Sequence, residues 1–322
     1  MASNNVSVTQ HSSRLLSLMK QHALLIAFVA LVLIIAVFTP NFLSSANLIN
    51  VLRQSAIVGL IAIGSTFVIT GGGFDISVGS ILALSAALVL GFQAWMPWQL
   101  AVPVVIAIGA MIGMINGILT AKIGIVAIIT TLGTMTILRG VTYIYTGGYP
   151  IVGESEAFRV LGSGYIGPIP VPVLLFILMV ALGQFVLSRT KLGRYTCAVG
   201  GNKESARLSG VPVDFYQIMT FVIGGAMAAM AGIIYASRLN SATPLAGQGY
   251  ELDAIAATVI GGTSVAGGRG SVIGTLIGVL LLTVVNNMFN LLGVPVYIQY
   301  VIKGVIILTV VGVDAYHRRE KY

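Results

Sequence analysis

Apolar residues in this chain come in long unbroken runs, separated by short joints rich in Gly, Pro and polar side chains. The runs show neither the two-residue alternation of a half-buried strand nor the single stripe of a surface helix. They fall at 24–38, 55–70, 78–94, 100–120, 125–145, 171–188, 217–236, 252–266, 271–290 and 296–313. A helix of about 20 apolar residues crosses the hydrocarbon core of a bilayer. The pattern therefore predicts an all-α polytopic membrane protein with about ten transmembrane helices. Several runs are shorter than a full span, so broken or strongly tilted helices are expected there. Dropping the short ones in pairs gives an eight-span alternative. Residues 1–22 are polar and read as a cytoplasmic tail; 23–315 form the membrane domain, with a cytoplasmic loop at 188–216; 316–322 form a second cytoplasmic tail.

Composition sharpens this picture. The chain has 322 residues, of which 57% are hydrophobic and 8% charged, and its mean hydropathy is +0.99. A soluble domain carries roughly 25% charged residues, so a soluble enzyme and a disordered chain are both excluded. The net charge of +8 reflects placement. Alternating ten spans from an inside N-terminus puts Arg14, Lys20, Lys122, Arg189, Lys191, Arg194, Lys203, Arg207, Arg269, Arg318, Arg319 and Lys321 inside, and only Arg53, Arg159 and Arg238 outside. That asymmetry is the positive-inside signal. No basic stripe is interleaved with aromatics as in nucleic-acid binders. The run from Ala23 is not followed by a small-residue cleavage site, so no cleavable signal peptide is expected, and the single Cys197 allows no intrachain disulfide.

Catalytic signatures are missing where chemistry would need them. There is no phosphate-binding Gly-x4-Gly-Lys-Ser/Thr loop, so this chain is not expected to hydrolyse ATP by itself. His11, His22 and His317 lie in or beside the tails, leaving no metal pair or Ser-His-Asp set in the spans. A potassium-type filter sequence is absent too.

Within the loop 188–216, Gly200-Gly-Asn-Lys-Glu-Ser-Ala-Arg-Leu-Ser-Gly210 predicts a short capped helix. Asn202 suits the N-cap. Glu204 suits the first-turn dipole. Gly210 suits a left-handed C′ position, and Pro212 forbids continuation. Such a helix either tidies a surface loop or receives a push from a soluble partner.

Small residues every fourth position (Gly109, Gly113, Gly117; Gly224, Ala228, Gly232; Gly270, Gly274, Gly278) permit close helix packing. Glycine clusters at Gly71-Gly-Gly73, Gly261-Gly262 and Gly267-Gly268 suggest breaks or re-entrant turns. Charged side chains near the bilayer are few, and each needs a partner or water. Asp75 lies between spans two and three; Arg139 can snorkel; Glu251 and Asp253 open span eight; Lys303 lies deep and requires a carboxylate or carbonyls. Asn286 and Asn290 share a helix face, either lining a polar path or bridging helices. Gly73-Phe-Asp-Ile-Ser-Val-Gly79 is weakly echoed by Gly249-Tyr-Glu-Leu-Asp-Ala-Ile255.

Thr190-Lys-Leu-Gly-Arg-Tyr195, the Gly200–Gly210 segment, Gly249-Tyr-Glu-Leu-Asp-Ala-Ile-Ala-Ala257 and Gly261-Gly-Thr-Ser-Val-Ala-Gly-Gly-Arg-Gly270 closely resemble the permeases of bacterial ribose-type ABC importers. Gly73-Phe-Asp-Ile-Ser-Val-Gly-Ser80, Asn286-Asn and Asn290-Leu-Leu-Gly293 match the same family. The resemblance covers about residues 40–314. It implies a ten-helix inner-membrane subunit with the type II, vitamin B12-importer-like fold, multi-pass with both termini cytoplasmic, working as a homodimer without its own catalysis. A cytoplasmic ATPase would bind ATP and Mg, and a periplasmic sugar-binding protein would deliver a monosaccharide, ribose or a relative first. No cofactor is expected on this chain. The resemblance makes Asn202, Lys203, Glu204, Ser205, Ala206, Arg207, Leu208, Ser209 and Gly210 the ATPase-coupling helix, with Ala206 the position where a bulky charge would uncouple transport. Candidate path residues are Asp75, Asn286, Asn290 and Lys303. Candidate binding-protein contacts are Arg53, Arg159 and Arg238. The alternative is an ion-coupled secondary sugar transporter.

Overall fold

The structure is a computed structural model that describes residues 23–319. The tail 1–22 and residues 320–322 of the second tail lie outside the described residues. Thirteen helices follow one another among them: α1 Ala23–Phe38, α2 Ser45–Thr70, α3 Val78–Gly91, α4 Trp98–Ala121, α5 Ala127–Thr146, α6 Val160–Ser163, α7 Val171–Arg189, α8 Lys191–Gly201, α9 Lys203–Leu208, α10 Val213–Leu239, α11 Tyr250–Ile260, α12 Val272–Leu291 and α13 Val296–Arg319. Two-residue strands complete the fold. β1 Ile151–Val152 pairs antiparallel with β4 Ser241–Ala242, placing Ile151 opposite Ala242. β2 Tyr165–Ile166 pairs antiparallel with β3 Ile169–Pro170.

The expectation of about ten spans in a vitamin B12-importer-like arrangement is overturned. Among the described residues, six helices are long and apolar enough to cross a membrane: α2, α4, α5, α7, α10 and α12. The apolar stretches Leu25–Phe38, Val78–Ala94 and Val296–Thr309 are shorter. α11 has 11 residues, about 16 Å at 1.5 Å per residue, roughly half of a 30 Å core. Counting apolar runs overstated the spans because the pattern of apolar positions does not register that these four stretches are, as helices, too short to cross.

α2 sits at the centre, with every residue from Ser55 to Thr70 buried. α10 packs on α2, α3 and α4, and glycines set the approach. Gly109 and Gly113 of α4 lie against Gly225, Ala229 and the Phe221 carbonyl of α10, where any added Cβ would collide. Gly64 of α2 meets Gly224 of α10 in the same way, and Gly274 and Gly278 of α12 meet Gly261 and Ala257. The small-residue stripes are thus packing faces, and the close contact they permit replaces the hydrophobic drive that lipid does not supply.

Two of the breaks between helices lie side by side. After Thr70 the chain turns, with Gly72 at φ +81° and the Gly73 amide donating to Val68 O at 2.9 Å; α3 starts only at Val78. Between α11 and α12 the break runs through Gly262, Gly267 and Gly268, all with positive φ. The two breaks are joined: Gly268 N–H donates to Thr70 O at 2.9 Å. The two echoed motifs also meet, because Gly79 at the start of α3 packs against Gly247 and Glu251.

Candidate functional site

The predicted short helix forms as α9. Asn202 Oδ1 accepts from Ser205 N at 2.8 Å, which satisfies one free N-terminal donor. Glu204 lies in the first turn. At the other end Gly210 takes φ +79°. Val211 N–H donates to Ala206 O at 3.1 Å and Gly210 N–H to Arg207 O at 3.0 Å, the paired bonds that close a helix ending in a left-handed residue. Lys203 Nζ donates to Gln217 Oε1 of α10 at 2.9 Å. Arg207 lies 3.4 Å from Glu204 and 3.8 Å from Asp214; both pairs are solvent-exposed and contribute little. Ser209 is the C-cap residue, and its hydroxyl donates to Ser205 O.

Ala206 does not face outward. It is 5% exposed and packs with Val199 and Val213. Its side chain holds α9 to α8 and α10, so a bulky charge there would strike the seat of α9 within this chain. The outward apolar side chain is Leu208, 82% exposed. Six helical residues alone do not reveal which side is covered.

α8 carries α9 to the helix breaks. Gly200, two residues before Asn202, abuts Thr70 O and Gly268 N with no room for a Cβ. A Cβ on Gly267 would lie 2.7 Å from Gly200 O and 3.1 Å from Gly72 Cα. Main chain from three segments meets here without intervening side chains. Cys197 sits in α8, where burial pushes its thiol above the ordinary value.

The four path candidates are not brought together. Asp75, 3% exposed, accepts from Ser77 N at 2.8 Å and Ser77 Oγ at 2.6 Å. Asn116 of α4 donates to Ser77 Oγ at 3.0 Å, and Thr134 of α5 donates to Asn116 Oδ1 at 2.6 Å. This network ties the unwound 71–77 segment to α4 and α5. Asn290 accepts from Gln299 Nε2 at 3.2 Å at the turn into α13. Asn286 is half-buried. Its neighbour Asn287, part of the same motif but not among the path candidates, exchanges amide bonds of 2.9 and 2.8 Å with Asn47 of α2. The signal was available, since Asn47 is another amide at a helix mouth.

Lys303 finds the carboxylate it needs. Its Nζ lies 3.0 Å from Asp253 Oδ2 of α11, with the side chains 24% and 10% exposed. The pair lines a cavity of about 470 Å³ between α2, α11 and α13, shared with Gln54, Gln248, Tyr250, Gln299 and Tyr300. A second cavity, about 340 Å³, lies across Gln248 and is lined by Arg139, Thr136 and Glu251. Arg139 donates to the carbonyls of Pro244 and Ala246, pinning the chain that leads into α11. Among the described residues no group of three or more His, Cys, Asp or Glu could hold a metal ion.

The three arginines gather at the end opposite α9, around residues 156–165. Arg53 donates to Ser163 O at 3.0 Å and stacks 4.9 Å from the Tyr165 ring centroid. Gly162 packs on the backbone at Arg238. Arg159 is 47% exposed and lies 3.8 Å from Glu156.

A family model described as the branched-chain amino acid transport system / permease component matches residues 47–311. The ribose import permease protein RbsC of Haemophilus influenzae is 44% identical over 301 residues, covering 92% of this chain and 93% of that protein. The protein of the same name from Bacillus subtilis is 46% identical over 287 residues, covering 88% and 89%. The L-arabinose transport system permease protein AraH of Escherichia coli is 38% identical over 304 residues, covering 94% and 92%. No solved structure matches the chain. The family match does not carry the vitamin B12-importer comparison. A multi-pass helical chain matched over most of its length in this way is a transport component and not an enzyme, and it belongs to the family of branched-chain amino acid transport system permease components.

Proposed function

We propose that this chain is the inner-membrane permease subunit of an ATP-driven importer that carries a monosaccharide, ribose first, delivered by a periplasmic binding protein. The observation that carries the reading is α9. It is capped at both ends, anchored inward by Ala206, and presents Leu208 outward. Gly200 links it to both helix breaks. A rigid element so placed converts a push from a nucleotide-binding partner into movement at the breaks, where transporter sites are commonly built. The import permeases for ribose and L-arabinose, similar over nine-tenths of the chain, support a sugar as substrate.

The partners are a cytoplasmic ATPase that holds ATP and Mg, a sugar-binding protein, and a second copy of this chain. The basic cluster Arg189, Lys191, Arg194, Lys203 and Arg207 beside α9 supports a cytoplasmic location for that end. In this reading both chain termini belong on that same cytoplasmic side. Arg53, Arg159 and Arg238 lie at the opposite end, which suits a docking face for an acidic binding-protein surface.

The test is uptake of labelled ribose by proteoliposomes containing this chain with its ATPase and binding protein. Uptake that requires both partners and ATP is expected. Uphill uptake by this chain alone on an ion gradient would show a secondary transporter and overturn the reading.

A further inference from the structure

The 470 Å³ cavity between α2, α11 and α13 has the size of small-molecule sites, roughly 300–1,000 Å³. Gln54 follows Arg53 in the half of α2 nearer Ser45, so the cavity lies toward the end opposite α9. On its other side the short helix α11 begins at Tyr250 after the Arg139-pinned loop. A short discontinuous helix opening onto a cavity is a feature of transporter binding sites.

The lining is chemically particular. Lys303 and Asp253 make one 3.0 Å contact. An ammonium carries three donors and a carboxylate about four acceptor positions, so most of the capacity of both groups remains for a bound molecule. Placed together the two charges cancel. An anion entering would meet Asp253 and a cation would meet Lys303, so each gains little from the site. A neutral solute bearing adjacent hydroxyls can use both at once, because each hydroxyl donates and accepts. Gln54 and Gln299 add amides, while the rings of Tyr250 and Tyr300 supply flat apolar surface for a C–H face.

We propose that this cavity is a monosaccharide site on the transport route, with the Asp253–Lys303 ion pair as its hydroxyl-binding element. The inference rests on the importer reading and assigns the substrate a place within it. The site is a way-station: polar enough to replace water on hydroxyls, and half-open, so that sugar leaves as readily as it enters.

The test uses the full complex of this chain, its ATPase and its binding protein in proteoliposomes, with D-ribose as the probe. Gln54→Leu and Tyr300→Ala, neither of which strands a buried charge, lower ribose uptake about tenfold at unchanged amounts of assembled complex. The neutralised double variant D253N/K303Q does the same. Separately, Gln54→Cys in a Cys197→Ser chain is labelled by a small water-soluble thiol reagent, and saturating ribose during ATP turnover slows labelling several-fold while sodium chloride of equal osmolarity does not. If the wild-type complex imports ribose but the variants match it, or if ribose leaves labelling unchanged, the assignment is overturned and the importer reading stands. Labelling by a membrane-permeant reagent only would show that lipid fills the cavity, which likewise overturns the assignment and spares the importer reading. A wild-type complex that imports no monosaccharide overturns both.

Discussion

Replacing Gly200 with alanine tests the joint between α8 and the helix breaks. A Cβ at that position has Thr70 O and Gly268 N as its nearest neighbours, both main-chain atoms too close for any real Cβ. Neither can rotate aside as a side chain would. Overpacking of this kind costs about 1–3 kcal/mol. Prising the segments apart also strains the Gly268–Thr70 hydrogen bond of 2.9 Å, worth about 0.5–1.5 kcal/mol. The better helix propensity of alanine returns up to about 1 kcal/mol. The net cost is about 2 kcal/mol, a fall in melting temperature of roughly 3 °C for a chain of 322 residues at an unfolding entropy of about 2.1 cal/mol/K per residue. Gly201→Ala is the internal control. Its added Cβ finds only Gly268 Cα, at 3.8 Å, an ordinary contact, so this variant is expected to melt at or slightly above the wild-type temperature. Tryptophan fluorescence melts of the purified chain in detergent measure both. If the two variants melt together, or Gly201→Ala is the worse, the seat of α8 on the breaks is misassigned.

Leu208→Asp, at an 82% exposed position, shifts stability by less than about 0.5 kcal/mol but abolishes ATP-dependent uptake in the reconstituted complex; Ala206→Glu, at a 5% exposed position, instead lowers the melting temperature, and the reverse pattern would refute the assigned orientation of α9. Asn202→Ala removes the N-cap and costs about 0.5–2 kcal/mol, seen as faster amide exchange confined to α9. Asp75→Ala leaves the Ser77 N–H and hydroxyl without their acceptor, costing about 1–3 kcal/mol in the same melts, and Asp75→Asn, which keeps one acceptor oxygen, recovers part of it. Gly140→Ala, where an added Cβ meets nothing within 4 Å, stabilises α5 by up to about 1 kcal/mol.

Local chemistry was readable from sequence where the partners are close in the chain. The Asn202 cap and the Gly210 turn are set by residues within ten positions of each other, and both formed. The need of Lys303 for a carboxylate followed from the cost of a buried charge, although which carboxylate required the fold, because Asp253 is 50 residues away. The Asp75 network stayed hidden for the same reason: Asn116 and Thr134 reach it only once α4 and α5 are packed. Span number was misread because a run of apolar residues shows neither where its helix starts nor where it stops: the apolar stretches Leu25–Phe38, Val78–Ala94 and Val296–Thr309, and the helix Tyr250–Ile260, are too short to cross. The burial of Ala206 was not legible because a six-residue helix is too brief for periodicity to mark a covered face.

The meeting of Gly72, Gly200 and Gly267 through main chain alone has an evolutionary corollary. A linkage without side chains offers almost nothing for drift to alter, since any larger residue jams it. The outward edge of α9 has no such restraint. A lineage could therefore exchange one motor protein for another by rewriting a few surface letters there, while the hinge beneath stays frozen.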